Sequence, residues 1–442
     1  MSPEDTIVAP ATPFGVGGIS VVRLSGLGAV RIASLLTKHP KLQNRQAVYL
    51  SLHDKTGSSF ERGVLTFFKS PASYTGEDVV EISCHGNPLL VQKIVDICCA
   101  FGARIADPGE FTLRAFLNGK IDLIQAESVS GIIHAQSIEA AALNHNVLSG
   151  KLSEQFNFIQ NNIIEILSHV EYVLDVSEED LPKDYFTKLN KMFPGVLSTL
   201  KKLRDSYKIG KLLTDGALVV IAGEPNVGKS TLLNALSESN RAITAPSPGT
   251  TRDSIEVRLV LDGVPLRMVD TAGIRSSKNS IEAEGVRRTK KLLSKADLAL
   301  IVIDPDTEMN PVLIKFLSCP YITVYNKADI KRPTVLNDDV KYISALTGAG
   351  IKNLKSSLRS QLGTEGVSTK LLALTTARQF HSIKKCHEAI VAAHHLLSDD
   401  VSELELGSFE LRSALNALDV VLGKTTPDDI LDNVFGAFCV GK

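Results

Sequence analysis

The chain has 442 residues, with 48 Lys and Arg against 49 Asp and Glu and a formal net charge of -1 at pH 7. Hydrophobic residues make up 44% and charged residues 22%, the balance of a folded globular protein, and the length suits about three domains of roughly 150 residues. This charge balance excludes a grip on nucleic acid through bulk electrostatics and leaves that task to a local patch or a basic partner.

Six cysteines without paired CxxC modules make no disulfide or zinc framework, and Cys98-Cys99, inside an apolar run, reads as core thiols. The acidic start Met1-Ser2-Pro3-Glu4-Asp5 precedes no long apolar stretch, so no signal peptide is expected. The most apolar runs, Leu218 to Ala222 and Leu298 to Ile303, have strand length and fall short of the ~18 residues of a membrane span. A cytoplasmic protein with no membrane contact is expected.

Residues 1–119 read as an α+β domain. Ile19 to Leu24 and Val79 to Ser83 have strand patterns, Leu89 to Ala100 suits a helix, and prolines 3, 10 and 13 with glycines 15, 17 and 18 mark loops. Residues 120–213 turn helical. Phe156, Ile159, Ile163, Ile166, Leu167, Val170 and Leu174 fall on one helix face, Pro182 and Pro194 interrupt, and Lys201-Lys202 with Lys208 to Lys211 form a basic run read as a solvated face. In residues 214–367 short β-branched runs alternate with helical stretches, the pattern of a doubly wound α/β domain. Helix returns over 368–442, with stripes at Ile383, Ile390, Val391, Phe409, Leu411, Leu415, Leu418, Val421 and Leu422. Neither helical piece makes a core alone, so the two are expected to pack together with the α/β domain inserted between them.

Within that insertion Gly223-Glu224-Pro225-Asn226-Val227-Gly228-Lys229-Ser230 fits GxxxxGK[ST], after the strand Leu218 to Ala222 and before a helix opening at Thr231. Glycines let backbone N–H groups wrap phosphates, Lys229 neutralises the terminal ones, and Ser230 holds Mg²⁺. Asp270-Thr271-Ala272-Gly273 follows a strand, where the carboxylate holds Mg²⁺ through water and a glycine N–H meets the γ-phosphate. In Asn326-Lys327-Ala328-Asp329 the Asp329 carboxylate accepts from the two guanine donors that adenine lacks, which selects GTP. Ser344-Ala345-Leu346 supplies a backbone N–H for guanine O6. Four motifs in this order point to a Ras-like P-loop GTPase.

Pro246-Ser247-Pro248-Gly249-Thr250-Thr251 stands where the first switch belongs, with Thr251 completing Mg²⁺ coordination. After Gly273 comes Ile274, which cannot orient water as the Gln of Ras-like enzymes does. Glu282 or Glu284 positions water in its place, or hydrolysis is very slow, and Asn226 suits a monovalent cation whose charge replaces an arginine finger.

Beyond these motifs the chain resembles the MnmE (TrmE) family of tRNA-modification GTPases over nearly its full length. The matching stretches are Asp5 to Ala9, Gly17 to Gly26, Tyr74-Thr75-Gly76-Glu77-Asp78-Val79-Val80-Glu81, His85-Gly86, Pro108 to Thr112, Arg114 to Lys120 and the closing Phe438-Cys439-Val440-Gly441-Lys442. The resemblance implies a homodimer formed through the N-terminal domain and a tetrahydrofolate one-carbon donor (5-formyl- or 5,10-methylene-tetrahydrofolate) held by Arg23, Glu81, Lys120 and Lys442. It also implies G domains that dimerise around K⁺, ligated by Asn226, Ala245, Ser247 and Thr250, with Glu282 orienting water. Here the chain departs from the family, since Ala245-Pro246-Ser247-Pro248 replaces its Thr-Asp-Ile-Ala/Pro. Finally, it implies a heterotetramer with MnmG, an FAD protein, that adds an aminomethyl-type group at carbon 5 of the wobble uridine of tRNA. Cys439 is either a catalytic thiol or a buried apolar residue. A competing reading is a GTP-gated ribosome-assembly or scaffolding module without modification chemistry.

Overall fold

The computed structural model describes residues 5–174, 182–238, 256–270, 291–305, 307, 314–315, 317–331, 337–365, 367–398, 401–425 and 428–442. They divide into two compact units. One takes in the residues up to Ser130, Ser153–Gln160 and Leu415–Lys442; the other takes in Gly131–Leu152 and the described part of Asn161–Ala414.

The first unit opens with β1 (Ile7–Pro10), β2 (Gly17–Ser25), α1 (Ala29–Thr37), β3 (Ala47–His53), β4 (Ser59–Phe68), β5 (Val79–Gly86), α2 (Pro88–Ala100) and β6 (Arg104–Ile105). The strands form a sheet ordered β3-β4-β5-β2-β1-β6, antiparallel except for the β1–β6 pair. Side chains alternate across a strand, so Val22, Leu24, Val80, Ile82 and Cys84 join α1 and α2 in one core that also buries Cys98. The same alternation puts Arg23 and Glu81, paired across β2 and β5, on the opposite face. Asn87 caps α2 by accepting from Leu89 N at 2.9 Å, with Pro88 in the first helical turn.

Next come α3 (Glu110–Leu117) and α4 (Leu123–Ile133). Glu110, 1% exposed, receives Arg104 at 2.7 Å and Arg114 at 2.9 Å, while Arg114 also donates to Glu77 and to the Asp5 carbonyl. Burial pushes the Glu110 carboxyl up, but the two guanidiniums and the Asp107 N–H outweigh it and hold the group below its ordinary value.

After α5 (Ile138–Leu148), α6 (Lys151–Leu174) carries the predicted stripe, with Phe156, Ile159, Ile163, Ile166 and Val170 buried. Leu174 is exposed and Val173 takes the last buried position. Pro194 does not interrupt the helical region as expected. It sits in the first turn of α8 (Phe193–Asp215), where its missing N–H costs no hydrogen bond, just after the short α7 (Tyr185–Asn190). Lys201, Lys202, Lys208 and Lys211 are exposed along α8.

The second sheet is built from β7 (Ala217–Ala222), β8 (Glu256–Leu261), β9 (Val264–Asp270), β10 (Leu298–Ile303), β11 (Tyr321–Tyr325) and β12 (Val340–Tyr342). Its order is β12-β11-β10-β7-β9-β8, parallel except for the β8–β9 pair. Helices α9 (Lys229–Glu238) and α10 (Ile351–Leu362) accompany it. The inner strands are buried on both faces, Val219 and Ile221 in one core and Val220 and Ala222 in another, which explains their unbroken apolar runs.

Returning helices α11 (Ala377–Leu396), α12 (Leu404–Leu422) and α13 (Asp428–Gly436) follow. Within the second unit α11 packs on α8, stacking Phe380 on Tyr207 at 4.5 Å between centroids and His394 on Phe193 at 4.7 Å. Two expected core residues are exposed, Val391 and Phe409. Leu404, Leu411, Ala414, Leu418 and Val421 recur at seven-, three- and four-residue steps, and Phe409, two residues from Leu411, points to the opposite side of the helix. In the first unit Gln160 donates to Asp419 at 2.7 Å and accepts from Lys424 at 2.6 Å, while Phe435 and Phe438 pack with Leu113, Leu123 and Ala126. Among the described residues no helix is long and apolar enough to cross a membrane.

Removing a partner from a buried ion pair leaves charge uncompensated. Glu110→Ala should therefore destabilise the first unit by about 3–5 kcal/mol in urea unfolding. Because the folded-state value of this carboxyl lies below the ordinary one, its contribution is complete above the ordinary carboxylate value and is lost as pH falls through the lowered one. A wild-type minus variant difference that stayed constant down to strongly acidic pH would contradict this assignment.

Candidate functional site

The strand β7 delivers the chain into the loop from Gly223 to Gly228, and α9 begins at Lys229, so the first N–H groups of the helix face the loop. Asn226 lies in the left-handed region with φ 64° and Gly228 follows at φ 90°. A Cβ on Gly228 would run into the amide nitrogen of Asn326, so only glycine fits. Lys229, 5% exposed, turns back over the loop and donates to the carbonyls of Gly223 at 3.0 Å and Glu224 at 2.7 Å. The Ser230 hydroxyl donates to Asp270 Oδ2 at 2.8 Å. These two oxygens, one from α9 and one from the end of β9, form a pair that fits a hard divalent cation such as Mg²⁺.

Asn326, at the end of β11, joins three loops. Its amide donates to the Val227 carbonyl at 2.9 Å and accepts from Ala345 N at 2.9 Å, and its own N–H bonds Ile303 O at 2.8 Å. Lys327, at φ 59°, reaches Asp304 Oδ2 at 2.6 Å, and Thr307 holds the other oxygen of Asp304 at 2.9 Å. Sequence reasoning missed Asp304 and Thr307; the signal was an acid directly after the apolar run Leu298–Ile303, at the carboxyl end of a parallel strand. Asp329 lines a cavity of about 440 Å³ with Ser344, Ala349 and Asn353. Ser344 N bonds Ala349 O at 3.0 Å, which folds Ser344-Ala345-Leu346 into a turn beside it. The structure thus gathers Asn226 to Thr231, Asp270, Asn326, Lys327, Asp329 and Ser344 to Leu346 at the carboxyl ends of the parallel strands, where ligands of doubly wound sheets bind. Ala245, Pro246, Ser247, Pro248, Gly249, Thr250, Thr251, Thr271, Ala272, Gly273 and Glu282 lie outside the described residues.

A second cluster belongs to the first unit. Arg23 donates to Glu81 Oε1 through Nε at 3.0 Å and Nη2 at 2.8 Å. Its guanidinium lies 5.4 Å from the centroid of the Tyr74 ring and 5.7 Å from that of Phe111. The chain terminus closes over this pair, with Phe111 N donating to the Lys442 carbonyl at 3.2 Å. Gly441, at φ 98°, approaches the Pro10 carbonyl too closely for any Cβ. Burial, followed by repulsion from Arg23, lowers the Lys442 ammonium below its ordinary value.

Arg23, Glu81 and Lys442 are therefore brought together, whereas Lys120 reaches the Pro71 carbonyl at 3.0 Å. Tyr74 and Phe111, both within the quoted motifs, were not singled out from sequence, because their closeness to Arg23 is purely tertiary. Cys439 is exposed, which overturns its reading as a buried apolar residue; Phe438 beside it is the one that packs inward. Two cations, one carboxylate and the partly exposed Tyr74 ring, with Phe111 buried behind Arg23, suit a flat ligand that carries both a donor edge and negative charge.

The family model described as the MnmE helical domain matches residues 123–439, and that of the GTP-binding protein TrmE N-terminus matches residues 6–120. Among curated proteins, the tRNA modification GTPase MnmE of Syntrophotalea carbinolica is 40% identical, over 99% of this chain and 99% of that protein. Those of Geotalea uraniireducens and Aquifex aeolicus are 38% and 36% identical, each over 99% of this chain. The G domain of the T. maritima FeoB iron transporter covers 33% of this chain and 98% of its own at 22% identity and a TM-score of 0.27, too weak a superposition to build on.

Asn326→Ala removes two buried hydrogen bonds that hold the nucleotide loops together. At ~1–3 kcal/mol for stranding such partners, the melting temperature should fall and a fluorescent GTP titration at a temperature where the variant is folded should show about tenfold or greater weakening. Unchanged affinity would show that the loops hold their positions without it.

Proposed function

Because the chain belongs to the MnmE family of tRNA modification GTPases, and so is a GTP-binding, GTP-hydrolysing enzyme, we propose that it couples GTP hydrolysis to folate-dependent modification of tRNA. In this reading it works as a homodimer, joined in a heterotetramer with an FAD-containing MnmG protein. A tetrahydrofolate one-carbon donor, 5-formyl- or 5,10-methylene-tetrahydrofolate, supplies the carbon for an aminomethyl or carboxymethylaminomethyl group at carbon 5 of the wobble uridine. Residues 1–119 form the folate-binding and dimerisation domain, 120–213 and 368–442 the helical domain, and 214–367 the inserted G domain. The observation that carries the reading is the convergence of Arg23, Glu81 and Lys442 across the full length of the chain, in a protein whose other site is built for GTP.

The residues act as follows. Lys229 exchanges the Gly223 and Glu224 carbonyls for phosphate oxygens when GTP enters, so its charge is already in place and needs only a short movement. Ser230 ligates Mg²⁺, with Asp270 behind it and Thr251 from the switch; the ion, when bound, offsets charge developing on the phosphates. Asp329 reads the guanine donors, and the turn from Ser344 to Leu346 borders the base. Asn226, Ala245, Ser247 and Thr250 hold K⁺ in place of an arginine finger, and Glu282 orients the attacking water. Arg23, Glu81, Lys120 and Lys442 hold the folate, with Glu81, oriented by Arg23, accepting from the pterin's N–H edge. Exposed near Lys442, Cys439 is the candidate thiol for the one-carbon step.

Steady-state GTP hydrolysis should be stimulated many-fold in K⁺ over Na⁺ at equal ionic strength, which removes ordinary screening as a cause. Glu282→Ala should keep GTP affinity and lose turnover; equal rates in the two salts, or wild-type turnover in the variant, would remove the cation or Glu282 from the mechanism. Reduced folate in excess should raise the melting temperature by mass action. Arg23→Ala should abolish that rise, and a rise that persisted undiminished would place the folate elsewhere.

A further inference from the structure

The basic run on α8 is not used by either site. Lys201, Arg204, Lys208 and Lys211 follow at steps of three, four and three residues, which places them on one helix face. The row is about 15 Å long, the reach of several consecutive phosphates. From residue 201 to 211 the chain carries five cations and one acid, Asp205, against a net charge of -1 overall. The lysines of the row are exposed, and Arg204 is engaged by its sequence neighbour Asp205 at 3.1 Å, a partly exposed pair that a phosphate can displace. Facing them on α11 stand His387, which feels both Arg204 and Lys201, and Lys384, 3.8 Å from Glu388.

Beside the row lies a cavity of about 680 Å³. It is lined by Arg204, Lys208 and Lys211, by the stacked rings of Tyr207 and Phe380, and by Asp297 before β10 and Pro320 before β11. It therefore opens at the amino ends of the parallel strands, the opposite end of the sheet from the nucleotide loops. Its volume suits one nucleotide. A cationic track beside an aromatic wall is the arrangement that holds single-stranded nucleic acid, the cations on the backbone and the rings on a base. A small free anion would need only the cavity, but the row continues past it to Lys201.

We infer that this face of α8 is an RNA-binding surface, with Lys201, Arg204, Lys208 and Lys211 on the phosphates of one strand and an unstacked base in the cavity against Tyr207 and Phe380. The inference deepens the proposed function, on which it rests, by assigning part of the substrate's grip to this chain rather than to its partner.

The test is a titration of unmodified tRNA transcript into the full-length chain at 50, 100 and 200 mM KCl. Replacing all four cations by alanine should weaken binding at 100 mM at least about tenfold and reduce the slope of log affinity against log salt by about three, as lost phosphate contacts require. The charge-keeping combination Lys201→Arg, Lys208→Arg and Lys211→Arg should bind as wild type, and all variants should keep GTP hydrolysis, which checks their folding. Equal affinity or equal slope in the alanine variant would overturn the inference, as would loss of binding in the arginine variant. Displacement of tRNA by polyglutamate as readily as by RNA would overturn it in favour of an acidic protein partner. A chain that hydrolyses GTP yet binds no tRNA overturns this surface and leaves the GTPase standing. Row-dependent tRNA binding without any modification in the presence of the partner would sink the folate reading and leave the surface.

Discussion

The last residue of the chain is fastened to the first unit's third helix: Phe111 N donates to the Lys442 carbonyl, and Gly441 lies against Pro10 where no side chain fits. That closure constrains everything between. A chain whose end must return to its beginning can carry a long insertion only if the insertion's own ends meet. The first unit accordingly draws on residues up to Ser130, on Ser153–Gln160 and on Leu415–Lys442. Hydrogen bonds among Gln160, Asp419 and Lys424 and the packing of Phe435 and Phe438 tie these distant segments together. The same closure sets the Lys442 ammonium beside Arg23, where burial and the neighbouring guanidinium disfavour its charge and Glu81 offsets them in part.

In the second unit the equivalent role falls to one neutral side chain. Asn326 ties the phosphate loop at Val227 to the turn at Ala345, so the loops that meet the phosphates and those near the base are fixed relative to each other before ligand arrives. Lys229 and Ser230 already hold partners that substrate and metal can replace. Such prior ordering lowers the reorganisation needed at the moment of reaction. The hydrogen bonds that achieve it span as many as 99 residues of sequence, with the parallel sheet as the rigid base.

Much of this was legible in the sequence because it is local. Unbroken apolar runs gave β7 and β10, a three-to-four spacing gave α6, and the described residues of the GTP motifs lie at the carboxyl ends of the strands expected before them. Strand alternation alone, once β2 and β5 are paired, puts Arg23 opposite Glu81. What escaped was tertiary or turned on face rather than hydropathy. Val391 and Phe409 are apolar but lie off the buried stripe, so composition misled. Pro194 looked like an interruption, yet the first turn of a helix has no use for its missing N–H. Tyr74 and Phe111 became visible only when folding set their rings beside Arg23, and Asp304 only when Lys327 reached it. Cys439 stayed open between a thiol for chemistry and a buried residue because its flanking residues are apolar, and only the fold shows that Phe438 alone turns inward.

Two sites of different chemistry thus sit on one chain: the nucleotide loops at the carboxyl ends of the parallel strands, and the cluster of Arg23, Glu81 and Lys442 in the first unit. The most direct measurement follows labelled carbon from 5,10-methylene-tetrahydrofolate into the wobble uridine of tRNA, with the chain and the FAD-containing protein proposed as its partner supplied with GTP or with a non-hydrolysable analogue. Label should enter tRNA with GTP and be absent with the analogue. Equal labelling with both nucleotides would separate GTP hydrolysis from the modification, and no labelling with either would remove folate as the source of the carbon.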